Sequence, residues 1–319
     1  MSSEGRSCPI HYRYTPESLC QAPETLTEDV LYVIGGLYGN TLALDEIEAM
    51  AAAEEAEGRR VKLLFNGDFN WFNASDELFS EVNQRVLRHD AMLGNVEYEL
   101  AHPSNGAGCG CAYPEFVASD VVSRSNRIMA RLQAVADRHS DIQAQLAGLA
   151  RFRCMIFGGL KVLILHGDPE SLAGWGLSYE SFAQGNNDQL AAWFRATGAD
   201  IMLCTHTCLP LIWQGVVDGR PRQVLNNGSA GMGNLMSDSR GLIARLSTTK
   251  PFNAPVAGII TGRTQLSLMP VRFDQQAWRA QFDALWPAGS DAELSYRARI
   301  VSGTDLSTEA LYFSAGVSA

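Results

Sequence analysis

Short apolar runs that end in a polar, ligand-type residue recur along this chain, and they constrain its fold more than any other feature. Residues 61–65 have the length and composition of a buried strand, and Asn66, Gly67 and Asp68 follow at once. Loops that leave strands are where α/β proteins place ligand-binding groups. A lone Gly-Asp pair is usually a turn, but other runs end in the same way. Candidate groups follow five strand ends, at Gly36 and Tyr38, Asp68, Asn95, His166 and His206.

The order of the predicted elements indicates an α/β fold with mixed sheets. The first two thirds of the chain alternate strands, at 30–34, 61–65, 91–93, 154–157, 162–165 and 201–204, with helices, at 40–57, 75–88, 119–137, 141–149 and 188–196. The last third is rich in strands, at 212–217, 223–225, 241–247, 256–261 and 265–273, before a helical stretch at 275–300. We therefore predict one α/β sandwich domain over residues 29–319, preceded by an irregular, proline-interrupted arm over residues 1–28.

Charge and hydropathy exclude several classes of protein. The 319 residues carry a formal net charge of -10, and 46% of them are hydrophobic. No basic block is present to neutralise phosphates, so we expect no nucleic-acid partner and no binding to a membrane surface. The polar N-terminus resembles no secretory signal, and no apolar run approaches the roughly 18 residues of a membrane span. The expectation is a soluble, cytoplasmic protein.

The seven cysteines show no zinc-finger spacing, and their number is odd. We predict free thiols in a reducing compartment.

The five strand-end stretches resemble the motifs of the calcineurin-like metallophosphoesterase superfamily. That superfamily carries, in this order, Asp-x-His, Gly-Asp-x-x-Asp, Gly-Asn-His-Glu/Asp, a lone His and Gly-His-x-His. The corresponding stretches are GLYGN at 36–40, GDFNW at 67–71, GNVE at 94–97, HGD at 166–168 and THTC at 205–208. A turn with the sequence NNGS at 226–229 resembles the superfamily's Asn-Pro-Gly-Ser turn. The resemblance covers about residues 29–247 and implies a four-layer α/β/β/α sandwich with mixed sheets.

The departures from these motifs affect one of the superfamily's two metal-ligand sets and not the other. In the superfamily, the first-motif Asp and His and the last His hold one metal ion, and here those positions are Gly36, Tyr38 and Cys208. The ligands that the resemblance implies for the other ion are all present: Asp68, Asn95, His166 and His206. The resemblance therefore implies a divergent member with one ligand set degraded, and a site for one divalent ion per chain.

The predicted ligand set suits zinc, manganese or iron, because one carboxylate, one amide oxygen and two imidazoles form a mixed nitrogen and oxygen set. The third-motif His, which protonates the leaving group in the superfamily, is Val96 here, and Glu97, which would orient that His, is left as a possible catalytic group.

Four further residues are candidates for extra metal ligands. Tyr38 and Cys208 stand at degraded motif positions, and either could rebuild the second metal site, although Tyr38 is better suited to fill the vacated space. Cys109 and Cys111, in the glycine-rich loop after the third motif, could reach a common metal or be ordinary thiols.

Three functions follow from these observations. The first is a metal-dependent phosphoester hydrolase, of phosphodiesterase or phosphatase type, that acts on a small phosphorylated substrate through one ion. The second is an inactive metal-binding or ligand-binding scaffold. The third is a mononuclear non-haem iron enzyme, because Asp68, His166 and His206 form a two-His-one-carboxylate set.

Overall fold

The computed structural model of the protein describes residues 4–251 and 253–314. Its strands, in chain order, are β1 (Glu24–Thr25), β2 (Val30–Ile34), β3 (Val61–Asn66), β4 (Asp90–Met92), β5 (Phe152–Phe157), β6 (Leu160–Leu165), β7 (Ile201–Cys204), β8 (Leu211–Val217), β9 (Arg220–Asn226), β10 (Gly241–Ser247), β11 (Ala257–Thr261), β12 (Thr264–Val271) and β13 (Tyr312–Ser314). Its α-helices are α1 (Thr41–Ala56), α2 (Asp76–Val86), α3 (Asn95–Ala101), α4 (Ser119–Ala136), α5 (Ser140–Ala147), α6 (Tyr179–Gln184), α7 (Asn187–Thr197), α8 (Gln275–Leu285) and α9 (Asp291–Ser302). Short 3₁₀ helices lie at Ile10–Tyr12, Pro16–Ser18 and Glu309–Leu311.

The strands form two mixed sheets that pack face to face. One sheet has the order β1-β5-β6-β7-β9-β8-β13, and the other has the order β11-β12-β10-β2-β3-β4. Helices cover both outer faces: α7 packs on the first sheet, and α1, α2, α4, α8 and α9 belong to the core on the second. The predicted four-layer α/β/β/α sandwich with mixed sheets is therefore confirmed.

Burial on both faces explains why the strands read as continuous apolar runs rather than as alternating ones. Within β2, Val30, Tyr32 and Ile34 face the core under the helices, whereas Leu31 and Val33 face the core between the two sheets. Strands β6 and β7 divide their side chains between two cores in the same way. Each strand is thus fixed in register, because a one-residue slip would exchange its two faces.

The carboxyl ends of the central strands define the position of the site. Strands β2, β3 and β4 are parallel to one another in one sheet, and β6, β7 and β9 are parallel in the other. The Asn66 side chain crosses from one sheet to the other, where its amide donates to the Leu165 carbonyl (2.6 Å). The loops that leave β2, β3, β4, β6 and β7 consequently meet at one edge of the sandwich.

Most predicted elements are confirmed to within a few residues. Asn40 caps α1 and Ser75 caps α2, each side chain accepting a backbone N–H three residues later. Helices α3 and α6 were not predicted, because seven and six residues are too few to show a helical period. The helical stretch predicted at 275–300 is two helices, α8 and α9.

The N-terminal arm is tied to the body of the protein. Strand β1 pairs in parallel with β5, and the buried Tyr12 hydroxyl donates to Glu99 on α3. A disulfide joins Cys20 to Cys154, with the two Cα atoms 5.3 Å apart. The expectation of seven free thiols is therefore wrong for these two cysteines, whose distance of 134 residues in sequence gave no sign of their contact. The division at residue 28 stays a prediction.

No helix in the described part of the chain is both long enough and apolar enough to cross a membrane.

Candidate metal centre

Four buried donor atoms converge at this edge of the sandwich, and His166 lies at their centre. Its Nε2 is 3.4 Å from Asp68 Oδ1, 3.2 Å from Asn95 Oδ1 and 3.2 Å from His206 Nδ1. Ligand atoms of Asp68, His166 and His206 all lie within 4.8 Å of one another. The structure therefore brings together the four residues at the retained motif positions, and we call them the donor cluster.

Main-chain carbonyls fix the orientation of both imidazoles. His166 Nδ1 lies 2.9 Å from the Asn66 carbonyl oxygen, and His206 Nε2 lies 3.1 Å from the Cys111 carbonyl oxygen. A carbonyl only accepts, so each of these nitrogens carries a proton and donates it, and in the neutral ring the other nitrogen presents its lone pair to the cluster. Two lone pairs, a carboxylate oxygen and an amide oxygen then face a common point. This set fits a divalent cation.

The charges in the cluster favour a cation at the same point. Burial raises the pKa of Asp68, but His166, His206 and the Val96 N–H outweigh it, so the pKa of Asp68 is lowered and the carboxylate is ionised. Burial lowers the pKa of His166, but Asp68 outweighs it and the pKa is raised. Burial and the charge of His166 lower the pKa of His206 to about 4. One positive charge, carried by a proton or by a metal, thus balances Asp68.

Glu97 holds the loop that carries Asp68. One of its carboxylate oxygens accepts the N–H of Asp68 (2.7 Å) and of Gly94 (3.1 Å), and the other accepts those of Phe69 and Asn70 (3.1 Å each). Burial and the charge of Asp68 raise the pKa of Glu97 to about 7. Its oxygens face these amides and do not line the cavity beside the cluster. Glu97 therefore holds the loop in place, and its possible catalytic role stays a prediction.

Two glycines allow the loops after β3 and β4 to touch. A Cβ on Gly67 would lie 2.3 Å from the Gly94 nitrogen, and a Cβ on Gly94 would lie 2.3 Å from Asp68 Oδ1. Gly67 also has φ 77°, which favours glycine. The glycines of the Gly-Asp and Gly-Asn motifs therefore set the distance between Asp68 and Asn95.

The three degraded motif positions meet on another side of the same loops. The Tyr38 ring lies against Gly36, where a Cβ would be 3.0 Å from the ring, and the Tyr38 hydroxyl is hydrogen-bonded to Cys208 Sγ. Burial raises the pKa of both groups, for Cys208 to about 11. The Tyr38 ring therefore fills this space, and the Tyr38 hydroxyl and the Cys208 thiol satisfy each other's hydrogen-bonding capacity. We call Gly36, Tyr38 and Cys208 the closed side.

The glycine-rich loop supports the donor cluster through its backbone. The Cys109 carbonyl accepts from Asn95 Nδ2 (3.0 Å), and the Cys111 carbonyl accepts from His206 and from Trp175 Nε1 (2.9 Å). Both thiols are free and buried. Within the described chain, the group of cysteine, histidine and acidic side chains that converges on the cluster contains no cysteine. Cys111 and Cys208 line the cavity beside the cluster, and Cys109, Cys111 and Cys208 as extra ligands stay a prediction.

A cavity of about 200 Å³ opens beside the cluster. Asp68, Asn95 and His206 line it together with aromatic side chains, namely Tyr38, Trp71, Tyr113, Trp175 and Tyr296. Val96 and Arg299 also line it. Trp175, Tyr296 and Arg299 could not be predicted at the site from sequence patterns, because only the tertiary fold brings them there.

Comparison with solved structures gives the same class of fold. The chain is similar to a hypothetical protein from Pyrococcus horikoshii OT3, with 14% identity, a TM-score of 0.55 and coverage of 87% of this chain and 99% of that one. It is also similar to a metallophosphoesterase from Sphaerobacter thermophilus, with 18% identity, a TM-score of 0.51 and coverage of 87% and 100%. No family model and no curated protein matches the sequence. The chain has a metallophosphoesterase fold, and the predicted resemblance is confirmed at this level.

Proposed function

We propose that the protein is a metal-dependent phosphoester hydrolase that works with one divalent ion, held by Asp68, Asn95, His166 and His206. The observation that supports this most is the orientation of the two imidazoles. One nitrogen of each ring is directed to a main-chain carbonyl, so that the other nitrogen of His166 faces Asp68 and Asn95, and that of His206 faces His166 within the same cluster. Zinc, manganese and iron all suit this set of donors.

A bound ion of this kind supplies positive charge to a phosphoryl oxygen and lowers the pKa of a coordinated water. The protein's residues hold the reactants in place around it. Glu97 and the two glycines fix Asp68 relative to Asn95. Trp175 packs edge-on against His206, with the ring centroids 5.8 Å apart, and shields the imidazole from water. A small phosphorylated substrate would enter through the adjoining cavity.

Protonation of the leaving group is the step that this site supports least. Val96 lines the cavity where the superfamily has its proton donor, and burial raises the pKa of Tyr113 and Tyr296, which makes both poor acids. A second metal ion, which this one-ion site would not have, typically supplies several kcal/mol of charge stabilisation. Each ~1.4 kcal/mol of lost stabilisation slows the reaction tenfold. We therefore expect slow turnover and a preference for activated phosphodiesters, whose leaving groups need no proton.

Hydrolysis of bis-p-nitrophenyl phosphate by protein loaded with manganese, zinc or iron tests this proposal. Asp68→Ala should abolish metal-dependent turnover, whereas Asp141→Asn, at an exposed helix position, should leave it unchanged. Activity that survives Asp68→Ala would overturn the proposal.

The alternative is a metal-binding scaffold without catalysis, which the closed side and Val96 favour. Metal bound at the cluster together with no turnover of phosphodiesters or phosphomonoesters would establish it.

The cytoplasmic location remains part of the proposal. Disulfides are uncommon in reducing compartments, and the bond between Cys20 and Cys154 is the observation against it. Treating intact cells with an alkylating agent and counting the modified thiols of the protein tests this. Modification of Cys20 and Cys154 would support a reducing compartment such as the cytoplasm, and their protection as a disulfide would contradict it.

A further inference from the structure

Arg299 brings a fixed positive charge to the cavity. Its side chain, on α9, is held by neutral acceptors: Nε donates to the Gly233 carbonyl (2.8 Å), and Nη2 donates to the Cys208 carbonyl (2.6 Å) and to Asn234 Oδ1 (3.1 Å). Among the described residues that line the cavity, it is the only lysine or arginine. Three contacts on one edge of the guanidinium fix its orientation.

No carboxylate neutralises this charge in the described part of the structure. Arg299 has no acidic partner within 4.0 Å there, whereas Arg297, two residues earlier, pairs with Asp283 (2.9 Å). Asp68 is the only carboxylate among the described lining residues, and it belongs to the donor cluster. With a divalent ion on the cluster, the cavity would carry an excess of positive charge, which favours an anionic ligand.

The guanidinium retains hydrogen-bonding capacity for such a ligand. Its Nη1 group has no hydrogen-bond partner among the described residues, while Nε and Nη2 are occupied. A guanidinium is well suited to oxyanions, because its N–H groups form short, charge-assisted hydrogen bonds with them.

The size and lining of the cavity restrict the rest of the ligand. About 200 Å³ is less than the 300–1,000 Å³ of ordinary small-molecule sites, so only a compact molecule fits. Trp71, Tyr113, Trp175 and Tyr296 offer it flat apolar surfaces.

We infer that Arg299 is a substrate-binding residue that contacts a phosphoryl oxygen of a compact phosphoester carrying a flat, apolar group. This inference rests on the proposed function, because the phosphoryl group is placed between Arg299 and the donor cluster.

Binding of inorganic phosphate to manganese-loaded protein, measured by titration calorimetry, tests the inference. Arg299→Gln should weaken phosphate binding about ten- to hundredfold, the loss expected for a hydrogen bond to a charged group. Its metal content should stay unchanged. Arg297→Gln, on the same helix but outside the cavity lining, should bind phosphate like the wild type.

Equal phosphate affinity in wild type and metal-loaded Arg299→Gln would overturn the inference, and so would a wild type that binds no phosphate. Should Arg299→Gln fail to fold, Arg299→Lys decides. It keeps the charge but loses the planar fork, so several-fold weaker binding supports the inference and unchanged binding overturns it. Arg299-dependent phosphate binding without turnover of any phosphoester would support the inference while refuting the hydrolase.

Discussion

The donor cluster and the closed side lie on the same set of loops, but their polar side-chain atoms are arranged differently. In the donor cluster, main-chain carbonyls accept a hydrogen bond from one nitrogen of each imidazole, and the other ring nitrogens lie beside a carboxylate oxygen and an amide oxygen. On the closed side, the Tyr38 hydroxyl and the Cys208 thiol are bonded to each other, and the ring occupies the space beside Gly36. The first arrangement offers its donor atoms to a cation, whereas the polar groups of the second are bonded to each other. The residues of one predicted ligand set are therefore kept in place, while the Tyr38 side chain fills the space of the other set.

The largest expected effect is on the donor cluster itself. His166→Gln removes the nitrogen that contacts the other three donors, so metal affinity should fall by more than about a hundredfold, beyond the usual loss from a supporting residue. Metal titration followed by dialysis measures this. His102→Gln, at an exposed position, is the control and should retain the metal. Equal affinity in both variants would remove His166 from the site.

A smaller effect is expected from the packing that sets the ligand distances. Gly94→Ala places a Cβ 2.3 Å from Asp68 Oδ1, so Asp68 must move, and metal affinity should fall about ten- to hundredfold. Gly148→Ala, where a Cβ has only ordinary contacts from 3.5 Å, is the matched control. Unchanged metal binding by Gly94→Ala would mean that the spacing of the two loops is not important for the site.

Metal ligands restored on the closed side should create a second metal site. The triple variant Gly36→Asp, Tyr38→His and Cys208→His removes the ring and restores the ligand types of the superfamily motifs. We expect metal content to rise from about one to about two ions per chain, as measured by elemental analysis. Tyr38→Phe alone should keep one ion and lose about 1 kcal/mol of stability with its hydrogen bond. A triple variant that still binds a single ion would show that more than these three residues closes the second site.

The smallest effect on the site is expected from a buried ion pair in another part of the core. Glu54 accepts from Arg245 Nε (2.8 Å) and also pairs with Arg59. Burial raises the pKa of Glu54, but the two arginines outweigh it and the pKa is lowered. Its contribution to stability is therefore present above its ordinary pKa and is lost as the pH falls through the lowered value.

Glu54→Gln should lower the free energy of unfolding at neutral pH by about 3 kcal/mol, because it leaves buried arginine charge without its partner. The loss should shrink in acid, and metal content should not change. Urea unfolding at several pH values measures this. A loss that is independent of pH would contradict the assignment.

Local patterns in the sequence predicted the strands and helices, and the resemblance to the superfamily motifs implied the four layers and the four donor residues. Runs buried on both faces mark the strands, and Asp68, Asn95, His166 and His206 directly follow or nearly follow strand ends. The sequence did not predict features that depend on contacts between distant segments. The bond between Tyr38 and Cys208, 170 residues apart, is one of them.

Two further features show why the surroundings of the donor cluster could not be predicted from the sequence. Arg299 reaches Cys208 across 91 residues from a helix that lies outside the motif region. Cys109 and Cys111 bond Asn95 and His206 through carbonyl oxygens, which every residue has, so no side-chain pattern could predict these contacts. Local patterns therefore locate ligands, while tertiary contacts determine what surrounds them.

The metal content of the purified wild-type protein shows directly whether the donor cluster holds one ion and the closed side holds none. After manganese loading and removal of excess metal, elemental analysis should give close to one ion per chain, and His166→Gln should reduce it to near zero. Two ions per chain in the wild type would show that the closed side is open to metal, and none would show that the donor cluster does not hold one.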